Sequence, residues 1–475
     1  MNKYYRSKIA AVLVFIIYGC GFMHPNLWAQ SDFSIQPEYG KSYSDTLTLD
    51  LATSIKIALQ RNHGLAIAKA KKQEAEAKVG DTRTNLLPKV STSFSYTRLD
   101  VAPFFPTSRF AQLMGGGRVP SGLPSGIMPK IITIGDANNY ALGLSIQQPI
   151  FTGGRIWRGY RIAEYAATAA AENCQRARND LITEVQQAYL GVLKVQEYEK
   201  VAAEAVKQMQ AHLQDLQNMY DVGMVTENDL LRTKVALSNT KLGLIKARNG
   251  VRLAKVAFCS KIGLPLEQPI RLTEKLQIID LPPINLEDAI RKALENRPEI
   301  KAMHNNIKIA RTAVAISKAA YYPSIFLAAN YSYRRPDRQY NPKFYTTWTI
   351  SLVAQLNLFD WGQTAFQIEQ AQSQLQQTEH AMKQLQDGIV LQITQTYLSL
   401  LEAKEKVETT KINIQQAQEN YRVTNEKFKQ GLVSNTELLD ANTLLTQAKT
   451  EYINALADYR IAYANLMHAI GDVKY

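Results

Sequence analysis

Cysteine is scarce in this 475-residue chain, which holds only Cys20, Cys174 and Cys259. Three cysteines over such a length make neither a disulfide framework nor a cysteine-rich metal centre. Histidine is also thin. His24, His63, His212, His304, His380 and His468 are dispersed, and none stands in a His-Glu-x-x-His pattern or beside a cysteine cluster. Gly115-Gly116-Gly117 lacks the lysine and the serine or threonine of a phosphate loop. Past the first residues, no run reaches the roughly 18 consecutive apolar residues of a membrane-spanning helix. The formal charge of +13 is a modest basic excess with no nucleic-acid-binding motif behind it. These absences argue against an enzyme, a cofactor, a resident metal and a nucleic-acid partner.

What is there begins with an export signal. Lys3, Arg6 and Lys8 precede an apolar stretch from Ile9 to Tyr18, and Leu27-Trp28-Ala29 offers a cleavage site after Ala29. Residues 1–29 therefore read as a signal peptide. Lipidation at Cys20, behind Ile17-Tyr18-Gly19, is the competing fate of this segment, and a retained signal anchor is a third.

The chain then contains itself twice. Leu51 to Pro88 matches Leu286 to Pro323, and Phe151 to Gly263 matches Phe359 to Gly471. Phe151 pairs with Phe359, Gly154 with Gly362, Tyr189 with Tyr397, Gly223 with Gly431 and Leu230 with Leu438. A unit this long is a duplicated substructure and not a solenoid repeat. The organisation is a signal peptide (1–29), an extension (30–50), a first repeat (51–263), a proline-bearing link (264–285), a second repeat (286–471) and a tail (472–475).

Glycine and proline cluster at 80–154, 263–283 and 323–342, and between them run long helical patterns. The spacing predicts helices over 51–87, 155–222 and 228–262, and again over 286–322, 363–430 and 435–470. At 1.5 Å per residue the long helices reach about 100 Å, and each pair of shorter ones laid end to end matches them. Leu438, Leu445, Tyr452, Tyr459 and Leu466 form one heptad stripe, and Ala441, Ala448, Ala455, Ala462 and Ala469 another. Helices alone would suit an exported coiled-coil scaffold or adhesin without a pore.

Strand patterns oppose that alternative. Residues alternate between apolar and small or polar at 90–97, 140–147, 327–333 and 347–356. About ten residues is the length of a tilted membrane-spanning strand. The segment 97–139 is a long glycine- and proline-rich loop between the first pair, expected on the exterior, while 334–346 is short. Four strands cannot close a barrel in lipid, so several copies must share one. Two copies would give eight strands and a filled or narrow interior, three would give twelve and room for a passage, and the helical seams would close a second barrel beneath the first.

At this point the sequence resembles the TolC-like outer membrane factor family, over about residues 50–471. The resemblance rests on the duplication, on Gln148-Pro149-Ile150-Phe151-Thr152-Gly153-Gly154 with Leu356-Asn357-Leu358-Phe359-Asp360-Trp361-Gly362, and on Tyr220-Asp221-Val222-Gly223-Met224-Val225-Thr226 with Phe428-Lys429-Gln430-Gly431-Leu432-Val433-Ser434. It implies the expected fold: a homotrimer in outer-membrane lipid, its twelve-stranded transmembrane β-barrel built from four strands per chain and continued by a long α-helical periplasmic barrel. It also implies passive conduction of substrates, a periplasmic adaptor as partner, an inner-membrane pump behind the adaptor, and no catalysis.

The resemblance also assigns residues. Gly223, Met224 and Val225, with Gly431, Leu432 and Val433, become adaptor-docking turns. Glu437 and Asp440, three residues apart and so on one helical face, become an acidic constriction that sets selectivity. Asp229 becomes a closed-state contact. The family's arginine partner falls at Val433, so that latch is absent or remade with Arg232 or Lys429.

Overall fold

The computed structural model describes residues 46–106, 131–133, 136–279, 282–337 and 341–473. The expected signal peptide with Cys20, most of the 30–50 extension, the glycine-rich centre of the 97–139 loop and the end of the 472–475 tail lie outside the described residues. The chain divides into a small unit, 1–47 with 267–269, and a large unit, 48–266 with 270–475. In the small unit the Leu47 N–H donates to the Pro269 carbonyl at 2.9 Å. The large unit holds the helices and the main sheet.

The helices are α1 (Leu51–Arg61), α2 (His63–Thr84), α3 (Arg155–Asp221), α4 (Glu227–Ile262), α5 (Leu286–Asn296), α6 (Pro298–Lys318), α7 (Gln363–Lys429) and α8 (Asn435–Ile470). The strands are β1 (Leu47–Leu49), β2 (Lys89–Arg98), β3 (Phe104–Pro106), β4 (Ile131–Thr133), β5 (Asn138–Thr152), β6 (Ile270–Leu272), β7 (Ser324–Arg335) and β8 (Tyr345–Gln355). Helices α3 and α7 each run 67 residues, about 100 Å.

Two predicted helices are each broken once. The pattern over 51–87 divides at Asn62, and that over 286–322 divides at Arg297. Asn62 turns its side chain to cap α2, accepting from the Leu65 N–H at 3.0 Å, and donates to the Lys261 carbonyl at 2.9 Å. Arg297 precedes Pro298, whose ring disfavours helical backbone in the residue before it. The periodicity crosses both breaks, so it conceals them.

Sidedness follows from the heptads. Leu49, Ile55, Ile182, Val185, Tyr189, Phe258 and Ile262 share one core, where α1 and α4 meet the middle of α3. Ala293, Ile300, Ile389, Ile393, Leu466 and Ala469 form its counterpart in the second repeat. The seam between repeats, α3 against α8, is of another kind. Along it stand His468 with Asp180 at 2.7 Å, Gln187 with Asn465 at 2.6 Å and Lys194 with Asp458 at 3.5 Å. Tyr198 with Asn454, Lys449 with Glu204 at 3.1 Å, and His212 with Asn435 at 2.8 Å continue it. Partly exposed ion pairs contribute little to stability, so this ladder fixes register more than it holds the repeats together.

The main sheet is antiparallel in the order β2-β5-β7-β8. Val90 faces Ile146, Leu144 faces Tyr331, and Tyr331 faces Trp348 across successive ladders. Pro149 lies in a central strand only because the β5–β7 register shifts between Pro149 and Phe151, where a bulge spares the missing N–H. Val90, Phe94, Trp348, Ile350 and Leu352 are exposed, with no protein layer over them.

Here the fold expectation needs correction. The chain is mostly helical, and its sheet is small and open: β2 and β8 are both unpaired on their outer edges among the described residues. Neither the twelve-stranded transmembrane barrel nor the helical barrel is present in it. Four twisted strands are too few to bring the outer edges together, and two repeats supply too few helices to surround a lumen. No helix among the described residues is long and apolar enough to cross a membrane.

Candidate functional site at the paired helix turns

Each long helix reverses at a glycine. Gly223 and Gly431 adopt φ of +77° and +73°, a left-handed conformation that side chains disfavour. Past α3, the Met224 N–H donates to the Met219 carbonyl at 2.8 Å and the Gly223 N–H to Tyr220 at 2.9 Å. Past α7, the Leu432 N–H donates to Lys427 and the Gly431 N–H to Phe428, both at 2.9 Å. This paired closure satisfies carbonyls that a helix end otherwise leaves open.

The next helices start with caps. Asp229 donates its N–H to the Thr226 hydroxyl oxygen at 3.2 Å, and the Asp229 carboxylate accepts the Thr226 hydroxyl at 2.6 Å and its N–H at 3.3 Å. Glu437 stands equivalently: its N–H donates to Ser434 Oγ at 3.3 Å, and its carboxylate accepts the Ser434 hydroxyl at 3.1 Å. Both acids thus engage their own helix starts, where the dipole favours negative charge. Asp440, one turn further, is exposed and forms no ion pair or hydrogen bond among the described residues.

A shared core welds the two turns. Leu216 and Leu230 of the first repeat pack with Phe428 and Leu438 of the second, and Val225 and Val433 lie partly buried against them. These two valines were expected to face outward. Their neighbours do so instead: Met224 is 64% exposed and Leu432 69%. Arg232 donates to the Thr436 hydroxyl at 3.3 Å across the repeats and does not reach Asp229. Lys429 is exposed.

Three residues unnoticed in the sequence complete the site. Asn435 donates to the Thr233 hydroxyl at 3.0 Å and to the Asp229 carbonyl at 3.2 Å. Its oxygen thereby faces His212, 2.8 Å from Nε2, so the neutral imidazole donates. His212 also meets Phe428 edge to face at 5.2 Å. Burial pushes the His212 imidazole below its ordinary value. Asn435 and Asn442, seven residues apart, begin a polar stripe that Lys449 continues beside the leucine and alanine stripes, but nothing in it names His212 as a partner. The described residues hold no cluster of histidine, cysteine and acids fit for a metal ion.

The chain as a whole is similar to known proteins. A model of outer membrane efflux proteins matches residues 54–263 and 289–472. The alkaline protease secretion protein AprF of Pseudomonas aeruginosa is 24% identical, covering 71% of this chain and 70% of that protein. The outer membrane protein TolC of Salmonella enteritidis is 21% identical over 91% and 85%. Among solved structures, the CmeC outer membrane channel of Campylobacter jejuni superposes with a TM-score of 0.73 at 18% identity, covering 89% of this chain and 85% of that one. The open state of the MtrE outer membrane channel of Neisseria gonorrhoeae gives 0.70 at 19% identity, covering 89% of each.

Proposed function

The chain belongs to the outer membrane efflux protein family, and from that premise we propose how its parts divide the work of an outer-membrane export channel. The channel itself is the family's function: it conducts substrates passively outward, faces the periplasm and is not an enzyme. That removes the pore-free scaffold or adhesin.

The proposed assembly is a homotrimer with the sheet in outer-membrane lipid. The carrying observation is the uncovered apolar face of strands 10 to 15 residues long. Water would make that face costly, while lipid makes it favourable. Energy then comes from an inner-membrane pump through a periplasmic adaptor, since a passive channel supplies none. Met224 and Leu432, apolar and exposed beside the rigid turns at Gly223 and Gly431, suit adaptor docking. Val225 and Val433 support them from beneath. Glu437 and Asp440 are proposed as the acidic constriction. Asp229, Arg232 and Lys429 are proposed as groups that re-pair between closed and open states.

Cell fractionation with an unboiled gel tests the assembly: a compact oligomer in the outer membrane is expected, and a monomer in detergent would refute it. Cysteines at Met224 and Leu432 should crosslink to the adaptor, whereas cysteines at Val225 and Val433 should react poorly. Normal export without any crosslink at the first two positions would rule out docking at the turns.

A further inference from the structure

At the corners where strands give way to helices, large aromatic side chains stand in the open. Trp157 follows β5, Tyr321 and Tyr322 precede β7, and Phe359 and Trp361 follow β8. All are more than half exposed, Trp361 at 86%. Cations share these corners: Arg83 and Lys89 flank the passage from α2 to β2, Arg155 opens α3 and Lys318 closes α6. All four are exposed, and none forms an ion pair among the described residues. Asp360, the acid at the β8–α7 corner, is turned inward, accepting the Thr364 N–H at 3.0 Å and the Gly362 N–H at 3.1 Å.

The cations are also oddly placed. The first turn of α3 contains no acid and has no side-chain cap, yet it carries Arg155 and Arg158. Positive charge there opposes the helix dipole, and a bound anion relieves the conflict. Arg158 is committed, donating to the Gly153 carbonyl at 2.6 Å, while Arg155 is free to turn outward. Beside it, a cleft of about 300 Å³ between α2 and α3 is lined by Asn85, Lys89, Gln147, Pro149 and Ile156. It presents a cation and two amides at its polar side and an apolar floor.

We propose that this collar binds the headgroups of anionic phospholipids, with the aromatics at the boundary of the apolar layer and the four cations on the phosphates. The inference rests on the reading that the sheet lies in lipid. It adds which lipid the corners select and which residues select it. Interfacial aromatics fit a zone apolar at one end and wet at the other, and cations beside them turn that fit into a charge preference.

The test uses the full chain in phosphatidylcholine vesicles containing phosphatidylglycerol, with either lipid brominated on its acyl chains. With Trp28→Phe in both, Trp348→Phe and Trp361→Phe leave Trp157 as the reporter at the collar, and Trp157→Phe and Trp361→Phe leave Trp348 in the sheet. At equal mole fraction, brominated phosphatidylglycerol should quench Trp157 several-fold more than brominated phosphatidylcholine. Adding R83Q, K89Q, R155Q and K318Q should abolish that preference, each cation accounting for up to about five-fold. Trp348 should be quenched by both lipids alike. Equal quenching of Trp157 by both lipids, with Trp348 still quenched, overturns the collar and leaves the membrane reading intact. An unquenched Trp157 beside a quenched Trp348 places a second copy over the collar, which also overturns it. An unquenched Trp348 refutes the membrane reading itself, and the collar with it.

Discussion

His212 Nε2 lies 2.8 Å from Asn435 Oδ1, linking the long helix of the first repeat to the first turn of the last helix in the second. Both side chains are buried, so this bond, unlike most of the α3–α8 ladder, lies outside the screening of water. It sits directly above the core of Leu216, Leu230, Phe428 and Leu438. The two turns therefore move as one body while this pair is intact, and any motion that separates the repeats has to break it.

Acid should loosen this junction. Burial lowers the His212 value below the ordinary 6.5, so the unfolded or opened form binds more protons just below that pH. Its contribution is full above about pH 6.5, falls as pH drops through that value, and levels off below the folded value. Protection factors for hydrogen exchange around 212 and 435, with the intrinsic fall of the exchange rate in acid divided out, should decrease on acidification from neutral pH. His212→Gln, which keeps a donor but cannot charge, should flatten that dependence. A slope unchanged in H212Q would assign it to another group. Asn435→Leu strands His212 Nε2, while Thr233 keeps its bond to the Asp229 carbonyl at 3.0 Å, and should cost about 1–3 kcal/mol at any pH.

The apolar cores and the polar seam should respond very differently. Phe258 is fully buried, its ring 5.9 Å from that of Tyr189. Phe258→Ala should destabilise by about 3–5 kcal/mol. Lys194→Ala breaks a partly exposed pair with Asp458 and should cost under about 1 kcal/mol. Paired thermal melts of the two variants check this. A larger loss for the lysine variant would mean that the seam between the repeats contributes more to stability than the core within the first.

Much of this was legible because the sequence repeats its signals. Gly223 and Gly431 announce the reversals, and the leucine and alanine stripes announce the seams. The break at Arg297 was readable from Pro298, yet apolar periodicity ran through it and through Asn62. The packing of Val225 and Val433 was out of reach for a related reason. An apolar residue beside a turn glycine looks the same in sequence whether it faces solvent or a partner helix, and that choice is made by Leu216 and Phe428 from elsewhere in the chain. His212 with Asn435 lay beyond reach because the contact joins positions 223 apart with no motif between them. Barrel closure is no property of one chain, so four alternating strands led to an enclosure that the chain by itself lacks.

The turn glycines should tolerate volume but not shape. At Gly431 a Cβ would meet nothing within 4 Å, so only the positive φ opposes a side chain. Gly431→Val should cost about 1–3 kcal/mol, and Gly431→Asn distinctly less, since asparagine visits the left-handed region more readily. Gly153 is the stricter case. At φ +61°, its Cβ would also fall 2.8 Å from the Ala319 carbonyl oxygen. Gly153→Ala should therefore be worse than G431N despite adding less volume. The order of melting temperatures should be wild type, G431N, G431V, with G153A below G431N.

The two proposed constriction acids should prove unequal. Glu437 engages Ser434 as well as whatever passes it, whereas Asp440 has no partner among the described residues. Removing Glu437 therefore has two effects. It deletes a charge, and it takes away the carboxylate that accepts the Ser434 hydroxyl beside the helix dipole at the start of α8, worth about 0.3–1 kcal/mol. Asp440→Asn deletes a charge alone. If both acids narrow the entrance, planar-bilayer conductance should lose cation preference in D440N with the melting temperature almost unchanged. In E437Q, which keeps a hydrogen-bonding side chain three residues past the Ser434 cap, it should do so with a small fall in melting temperature. The double variant should lose more preference than either single one, because a surviving acid still raises the local cation concentration. The net positive charge of the chain does not oppose this, since selectivity is set by the groups lining the narrowest point. Parental selectivity in the double variant would leave Glu437 as a helix cap and Asp440 as a solvated surface charge.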